Sequence, residues 1–226
     1  PEGPGKKIVV IAEMACSHEG DPALARKIID GAGAAGADAI QFQIWLARDM
    51  MVPQHPAFAT LNRIELSRQV WSELAAYVRQ NYPQLQIIAC VYERASVDFA
   101  ETLGVDAYKL HSADLSNPYL VQYVAATGKR IDLSVGASSL EEIRSAVEWI
   151  RASSASEIWM MYGYQSFPTP TDAIHLDYML KLRELFELPV GYQDHSDGSA
   201  PGAGWGAAGG GGRGVGLLEK HNTHDM

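Results

Sequence analysis

Eight short runs of apolar and β-branched residues recur along the chain, each separated from the next by a stretch with helical spacing. They are "IVVIAEM" (8–14), "AIQFQIW" (39–45), "QIIACVY" (86–92), "AYKLHS" (107–112), "RIDLSVG" (130–136), "EIWMMYG" (157–163), "VGYQDHS" (190–196) and "GVGLLEKH" (214–221). Strands that alternate with helices must return parallel through crossovers, so the pattern predicts a parallel sheet covered by helices. Eight such units predict closure, in the α/β class, as a TIM (β/α)8 barrel with its eighth helix missing from this chain. With 226 residues, 47% of them hydrophobic, the chain has the size of one such barrel, so residues 1–226 read as a single domain.

Helix starts are marked locally. Asp21-Pro22 and Asn117-Pro118 each pair an N-cap with proline at the first helical position, and Ser139 with Glu142 forms a capping-box pattern. The stretch "GAGWGAAGGGGRG" (202–214) falls where the seventh helix belongs. Because glycine costs roughly 1 kcal/mol against alanine inside a helix, this connection is predicted to be poorly helical.

Three segments resemble one another: "AGADAIQF" (35–42), "LGVDAYKL" (103–110) and "RGVGLLEK" (213–220). Each places glycine just past a helix end, where a left-handed conformation is needed, and then starts a strand. That shared start sets a register. Period-2 alternation puts Gln41 with Gln43, Lys109 with His111, and Glu219 with His221 on one face, while Ile40, Phe42, Tyr108, Leu110 and Leu218 face the helices. Polar groups therefore point inward near the strands' carboxyl ends, where this architecture collects catalytic residues. Lys220, by the same parity, faces outward and reads as structural.

A net charge of −9 and the absence of any Lys/Arg run argue against nucleic acid or an anionic membrane as partner, and leave small molecules. Cys16 and Cys90 are too few for a disulfide framework and lack metal-ligand spacing, which suits a reducing cytoplasm. They read as small buried residues, since neither has an evident activating partner. "PEGPGKK" is far too short for a signal peptide, and no apolar run approaches a membrane span.

"GAGAAG" (31–36) matches a dinucleotide fingerprint in letters only, because it closes a helix instead of opening one. The glycine run at 209–212 lacks the Lys-Ser/Thr of a phosphate loop. His195 and His221 end adjacent strands and form either a divalent-metal pair or two imidazoles hydrogen-bonded in a polar pocket. Glu13, at the end of the first strand, is either a general acid/base or a salt-bridge partner of Lys109. Lys109, Ser112 and Ser134, on predicted strands four and five, offer one cation and two hydroxyls to a phosphate or carboxylate. His224 reads as part of a solvated tail, and His55 and His175 carry no definable chemistry.

"IAEMACSHEGDPALARKIIDGAGAAGADAIQFQ", "YKLHSADLSNPYLVQYVAATGKRIDLSVGASSLEEIRSAV", "FPTP", "GYQDHSDG" and "LLEKHNTHD", in this order over nearly all the chain, resemble the catalytic barrel of the sialic acid (N-acetylneuraminate) synthase family. That family includes synthases of related nonulosonic acids and proteins of spore-coat polysaccharide synthesis. The resemblance implies a carbon–carbon bond-forming transferase that condenses phosphoenolpyruvate with an amino-sugar aldehyde and releases phosphate. It implies a divalent cofactor, Mn2+ or Co2+, on His195 and His221, with Glu13 and Gln43 near the aldehyde and Lys109, Ser112 and Ser134 around phosphoenolpyruvate. It also implies a homodimer, because the family's C-terminal antifreeze-like domain gives a sugar-binding arginine to the partner subunit. That domain has no counterpart in this sequence; the eighth barrel helix is missing too, and because this leaves apolar outer surface on strands one and eight exposed, the natural chain is expected to continue beyond Met226.

The departures fall on substrate-binding positions. The family's usual lysine before the strand-two glutamine is Gln41, and its strand-three threonine is Cys90. Its Asn or Ser after strand six falls near Gln165, its Tyr at Phe167, its Ser before Asp-His at Gln193, and its strand-four Glu at Asp114. Three readings stay open: a synthase of this family with an altered substrate, a metal-dependent aldolase-like lyase that does not use phosphoenolpyruvate, and a non-catalytic binding barrel.

Overall fold

The computed structural model describes residues 8–154, 156–199 and 216–222. Its eight strands are β1 (Val9–Glu13), β2 (Ala39–Ile44), β3 (Gln86–Val91), β4 (Ala107–Leu110), β5 (Arg130–Ser134), β6 (Ile158–Tyr162), β7 (Val190–Asp194) and β8 (Leu217–His221). They follow one another in chain order around a closed barrel. Each predicted run holds one strand; β2, β3, β4, β5 and β7 start at the predicted residue, and where the other described ends fall short they do so by one or two residues. The glycine-rich 202–214, the cap position Gly214 and His224 lie outside the described residues.

Contacts along the chain define two compact units, one of Pro1–Ile11 with Leu110–Lys220 and one of Ala12–Lys109 with His221–Met226. In the second, α1 (Pro22–Ala34) starts where the Asp21 side chain accepts from Ala23 N at 2.7 Å and buries Ala25, Ile28, Ile29 and Ala32. Full burial of a side chain such as Ile29 contributes about 1.5–3 kcal/mol. β2 and β3 run parallel, with Gln41 opposite Ile88 and Gln43 opposite Cys90. Between them lie α2 (Ala47–Met50), α3 (Phe58–Ile64) and α4 (Arg68–Asn81). The first two are too short to show a helical period in the sequence. Phe42 packs on Trp71 of α4 with ring centroids 5.1 Å apart, and Tyr108 donates to Glu101 of α5 (Arg94–Leu103) at 2.6 Å. These contacts verify the helix-facing parity of β2 and β4. Gly36 and Gly104 have φ of 75° and 65°, the left-handed conformation expected of them.

In the other unit, α6 (Pro118–Ala125) and α7 (Leu140–Ser153) begin at the expected caps, Asn117 accepting from Leu120 N and Ser139 forming a complete capping box with Glu142. After β6 comes α8 (Asp177–Phe186). β5 through β8 are parallel, with Ser134 opposite Met161, Gln193 opposite Glu219, and Asp194 opposite Lys220. Lys220 forms an ion pair with Asp194 at 3.2 Å and donates to the Ser196 carbonyl at 2.7 Å, the structural role that parity predicted.

One expectation needs correction. β4 stops at Leu110, and Ser112, predicted to end the strand, instead opens a 3-10 turn (Ser112–Asp114) that also holds Asp114. The cause is local: His111 accepts from Ala113 N at 3.3 Å and turns the chain out of the strand, so it caps this turn. No described helix is long and apolar enough to cross a membrane.

Candidate active site

Polar side chains gather at the carboxyl ends of the strands in each unit. In the unit of Ala12–Lys109 and His221–Met226, Glu13 ends β1 and is buried. Its carboxylate accepts from the amides of Gln41 and Gln43, the latter at 2.7 Å. The two glutamines are two residues apart on β2, so one face of the strand delivers both to the same acid. Gln41 is 1% exposed, and its carbonyl oxygen has no hydrogen-bond partner among the described residues. Lys109 is buried on β4. His221 is the last residue of β8 and half-buried; the N–H of Asn222 after it donates to the Glu13 carbonyl at 2.8 Å.

Cys90 is buried as the sequence predicted, whereas Cys16 is only half-buried. Burial, and then the Glu13 carboxylate, push the Cys16 thiol above its ordinary range, and Cys90 is buried on β3. A raised thiol pKa keeps the sulfur protonated and unreactive.

His18 was missed in the sequence, although it sits inside the quoted "ACSHEG". It is fully buried beside Trp45 and Trp71, with ring centroids 6.0 and 5.7 Å away. Its Nδ1 accepts from Gly20 N at 3.0 Å, and burial lowers its pKa to about 4. Its signal was faint, since a lone histidine in a polar loop gives no hint that two distant tryptophans cover it.

In the unit of Pro1–Ile11 and Leu110–Lys220, the ends of β5, β7 and β8 bring Ser134, Gln193 and Glu219 together. Ser134 Oγ donates to Gln193 Oε1 at 2.9 Å, Gln193 Nε2 donates to Glu219 Oε1 at 3.0 Å, and Gln165 Nε2 reaches Ser134 Oγ at 3.5 Å. Gly163 makes this possible: a Cβ there would lie 2.2 Å from the Gln193 carbonyl oxygen, so only glycine lets the end of β6 approach β7.

His195 follows β7 and is held on both sides by the loop after β6. Its Nδ1 donates to the Tyr164 carbonyl at 3.0 Å, its carbonyl accepts from Thr169 N at 2.9 Å, and Phe167 lies on the imidazole with centroids 4.3 Å apart. A carbonyl can only accept, so this bond fixes the tautomer that puts the lone pair on Nε2. Ser112 is largely buried, and its carbonyl accepts from Ser138 Oγ at 3.3 Å. Burial raises the Asp114 carboxyl to about 6, which leaves it partly protonated near neutrality. The strand-end residues thus provide one doubly hydrogen-bonded carboxylate, one oriented imidazole and a relay of amide and hydroxyl groups.

A barrel of this kind, with strand-end acids, amides and an oriented histidine, is the architecture of a small-molecule enzyme class. Residues 28–226 match the NeuB family model, and the chain belongs to that family. It is 31% identical over 196 residues to an uncharacterized protein of Methanocaldococcus jannaschii, covering 87% of this chain and 58% of that one. It is 28% identical over 240 residues to N,N'-diacetyllegionaminic acid synthase of Campylobacter jejuni, covering 97% and 69%. Among solved structures, an N-acetylneuraminic acid synthetase of Leptospira borgpetersenii superposes with a TM-score of 0.87 at 26% identity, over 97% of this chain and 74% of that one. The chain thus spans about three-fifths to two-thirds of the length of these two curated relatives.

Proposed function

We propose that the chain condenses phosphoenolpyruvate with an amino-sugar aldehyde and releases phosphate. The observation that carries this reading is the family match across residues 28–226, whose relatives include named synthases of nonulosonic acids. In this reaction the enol carbon of the donor attacks the aldehyde carbon, and the aldehyde oxygen takes up a proton. Water adds at the adjacent cationic carbon and loses its proton, and the C–O bond to phosphate then breaks.

Lys109, Ser112 and Ser134 bind the donor's anionic groups in this reading, and Gln41, Asp114, Gln165, Phe167 and Gln193 line the substrates. Glu13 and Gln43 face the aldehyde. A carboxylate held by two amides keeps a fixed orientation, so Glu13 is suited to move the proton that the new hydroxyl requires. Phe167, itself exposed, covers one face of the His195 ring.

The residues present fit a divalent cation. His195 Nδ1 donates to the Tyr164 carbonyl, which leaves the lone pair on Nε2, the tautomer a metal requires. The two imidazoles are the ligands this reading assigns, and a cation held by so few protein groups would keep positions for substrate and water. Mn2+ or Co2+ on His195 and His221 would polarise the aldehyde carbonyl. The acidic chain with only two cysteines suits the cytoplasm, and a homodimer is the assembly that goes with this reading.

The test is phosphate release from phosphoenolpyruvate across a panel of amino-sugar aldehydes, with and without divalent cation. We expect turnover that a chelator abolishes and added Mn2+ or Co2+ restores. Changing His195 or His221 to alanine should lower the rate at least about a hundredfold, the scale of a lost metal interaction. No phosphate release with any aldehyde rejects the reading; full activity in both variants rejects the metal pair.

A further inference from the structure

The ends of β5, β7 and β8 hold three buried side chains that satisfy one another. Ser134 is 1%, Gln193 4% and Glu219 3% exposed. The Ser134 hydroxyl gives its only proton to the Gln193 carbonyl at 2.9 Å, and its oxygen already faces the Gln165 amide at 3.5 Å. The other end of the Gln193 amide donates to the Glu219 carboxylate at 3.0 Å, from directly across the β7–β8 register. The backbone of Gln193 is seated against Gly163, where an added Cβ would lie 2.2 Å from the Gln193 carbonyl oxygen.

We propose that Gln193 is a specificity-determining residue, a built-in neutral occupant of the Ser134 hydroxyl that makes this part of the site discriminate against a phosphate group on the donor. The inference rests on the reading above, in which Ser134 faces that donor. A side-chain amide has one acceptor and one donor end, which matches the hydroxyl on one side and the carboxylate on the other. A phosphate at neutral pH offers acceptors almost exclusively. To use Ser134 it must displace the Gln193 carbonyl, and displacing the whole amide brings the anion toward Glu219, where like charges repel. The wild-type protein therefore draws little binding from the Ser134 hydroxyl and relies on Lys109 and Ser112 for the donor's anionic groups. A smaller residue at 193 frees the Ser134 hydroxyl and leaves room for a phosphate oxygen.

The experiment compares wild type with Gln193→Ser and Gln193→Thr by calorimetric titration of phosphoenolpyruvate and, separately, of pyruvate, with thermal melts to confirm folding. Pyruvate carries the carboxylate without the phosphate, so it isolates the phosphate's share. We expect phosphoenolpyruvate to bind at least about tenfold more tightly to either variant, the weight of one hydrogen bond to a charged group, with pyruvate affinity unchanged. Equal phosphoenolpyruvate affinities overturn the proposal, as does a parallel change for both ligands, which marks Gln193 as merely structural. Absence of phosphoenolpyruvate binding in all three proteins overturns it as well. If a variant gains phosphoenolpyruvate affinity while the wild type releases no phosphate with any aldehyde, the proposal stands and the condensation reading falls, so the two fail separately.

Discussion

His18 shows how much one buried side chain can carry. Its Nδ1 accepts a backbone hydrogen, so the neutral ring carries its proton on Nε2, and that nitrogen has no hydrogen-bond partner among the described residues. The folded pKa of about 4 lies below the ordinary value near 6.5, so the unfolded chain takes up the proton first as pH falls. The stability held by the neutral ring is fully present above about pH 6.5 and is lost as pH falls toward 4, by an amount on the order of 2–3 kcal/mol. Melting temperatures between pH 7.5 and 4.5 should fall more steeply for wild type than for His18→Gln. Parallel curves would mean that His18 is protonated without cost. At this scale parity made Gln41, Lys109 and Glu219 legible as buried strand-end residues. The Gln193 bridge was not legible, because it depends on which residue of β8 stands beside it.

Elements were legible where the signal lay within a few residues. The caps of α1, α6 and α7 are local chemistry, a side-chain oxygen meeting an N–H one turn away. For α7, Ser139→Ala removes the acceptor for Glu142 N at 3.2 Å and half of the capping box. It should destabilise the protein by about 1 kcal/mol, read as a lower urea midpoint with an unchanged slope. Replacing Ser139 with Asp should retain most of the stability, since aspartate caps equally well. The end of β4 was less legible. "AYKLHS" reads as one strand because its residues favour one, and only the His111 side chain bonding forward to Ala113 N decides that the strand stops early.

At the scale of the whole molecule, the residue after the last strand secures the start of the chain's first β-α step. Asn222 donates through its backbone to the Glu13 carbonyl at 2.8 Å and through its side chain to the Ile28 carbonyl at 3.1 Å. Asn222→Ala keeps the first bond and loses the second, which should cost about 1 kcal/mol of stability in a urea melt. If the midpoint does not move, the side chain is not a fastener of α1. Sequence by itself determined the eight alternating units, the caps and the face on which β2, β4 and β8 carry their polar residues, because all of these follow from periods of two and 3.6 residues and from contacts within one turn. Only the tertiary structure decided that Glu13 receives two glutamine amides, that two tryptophans keep His18 neutral, and that Gln193 occupies the Ser134 hydroxyl. Those outcomes depend on register and close approach between residues dozens of positions apart, and no local period encodes such distances.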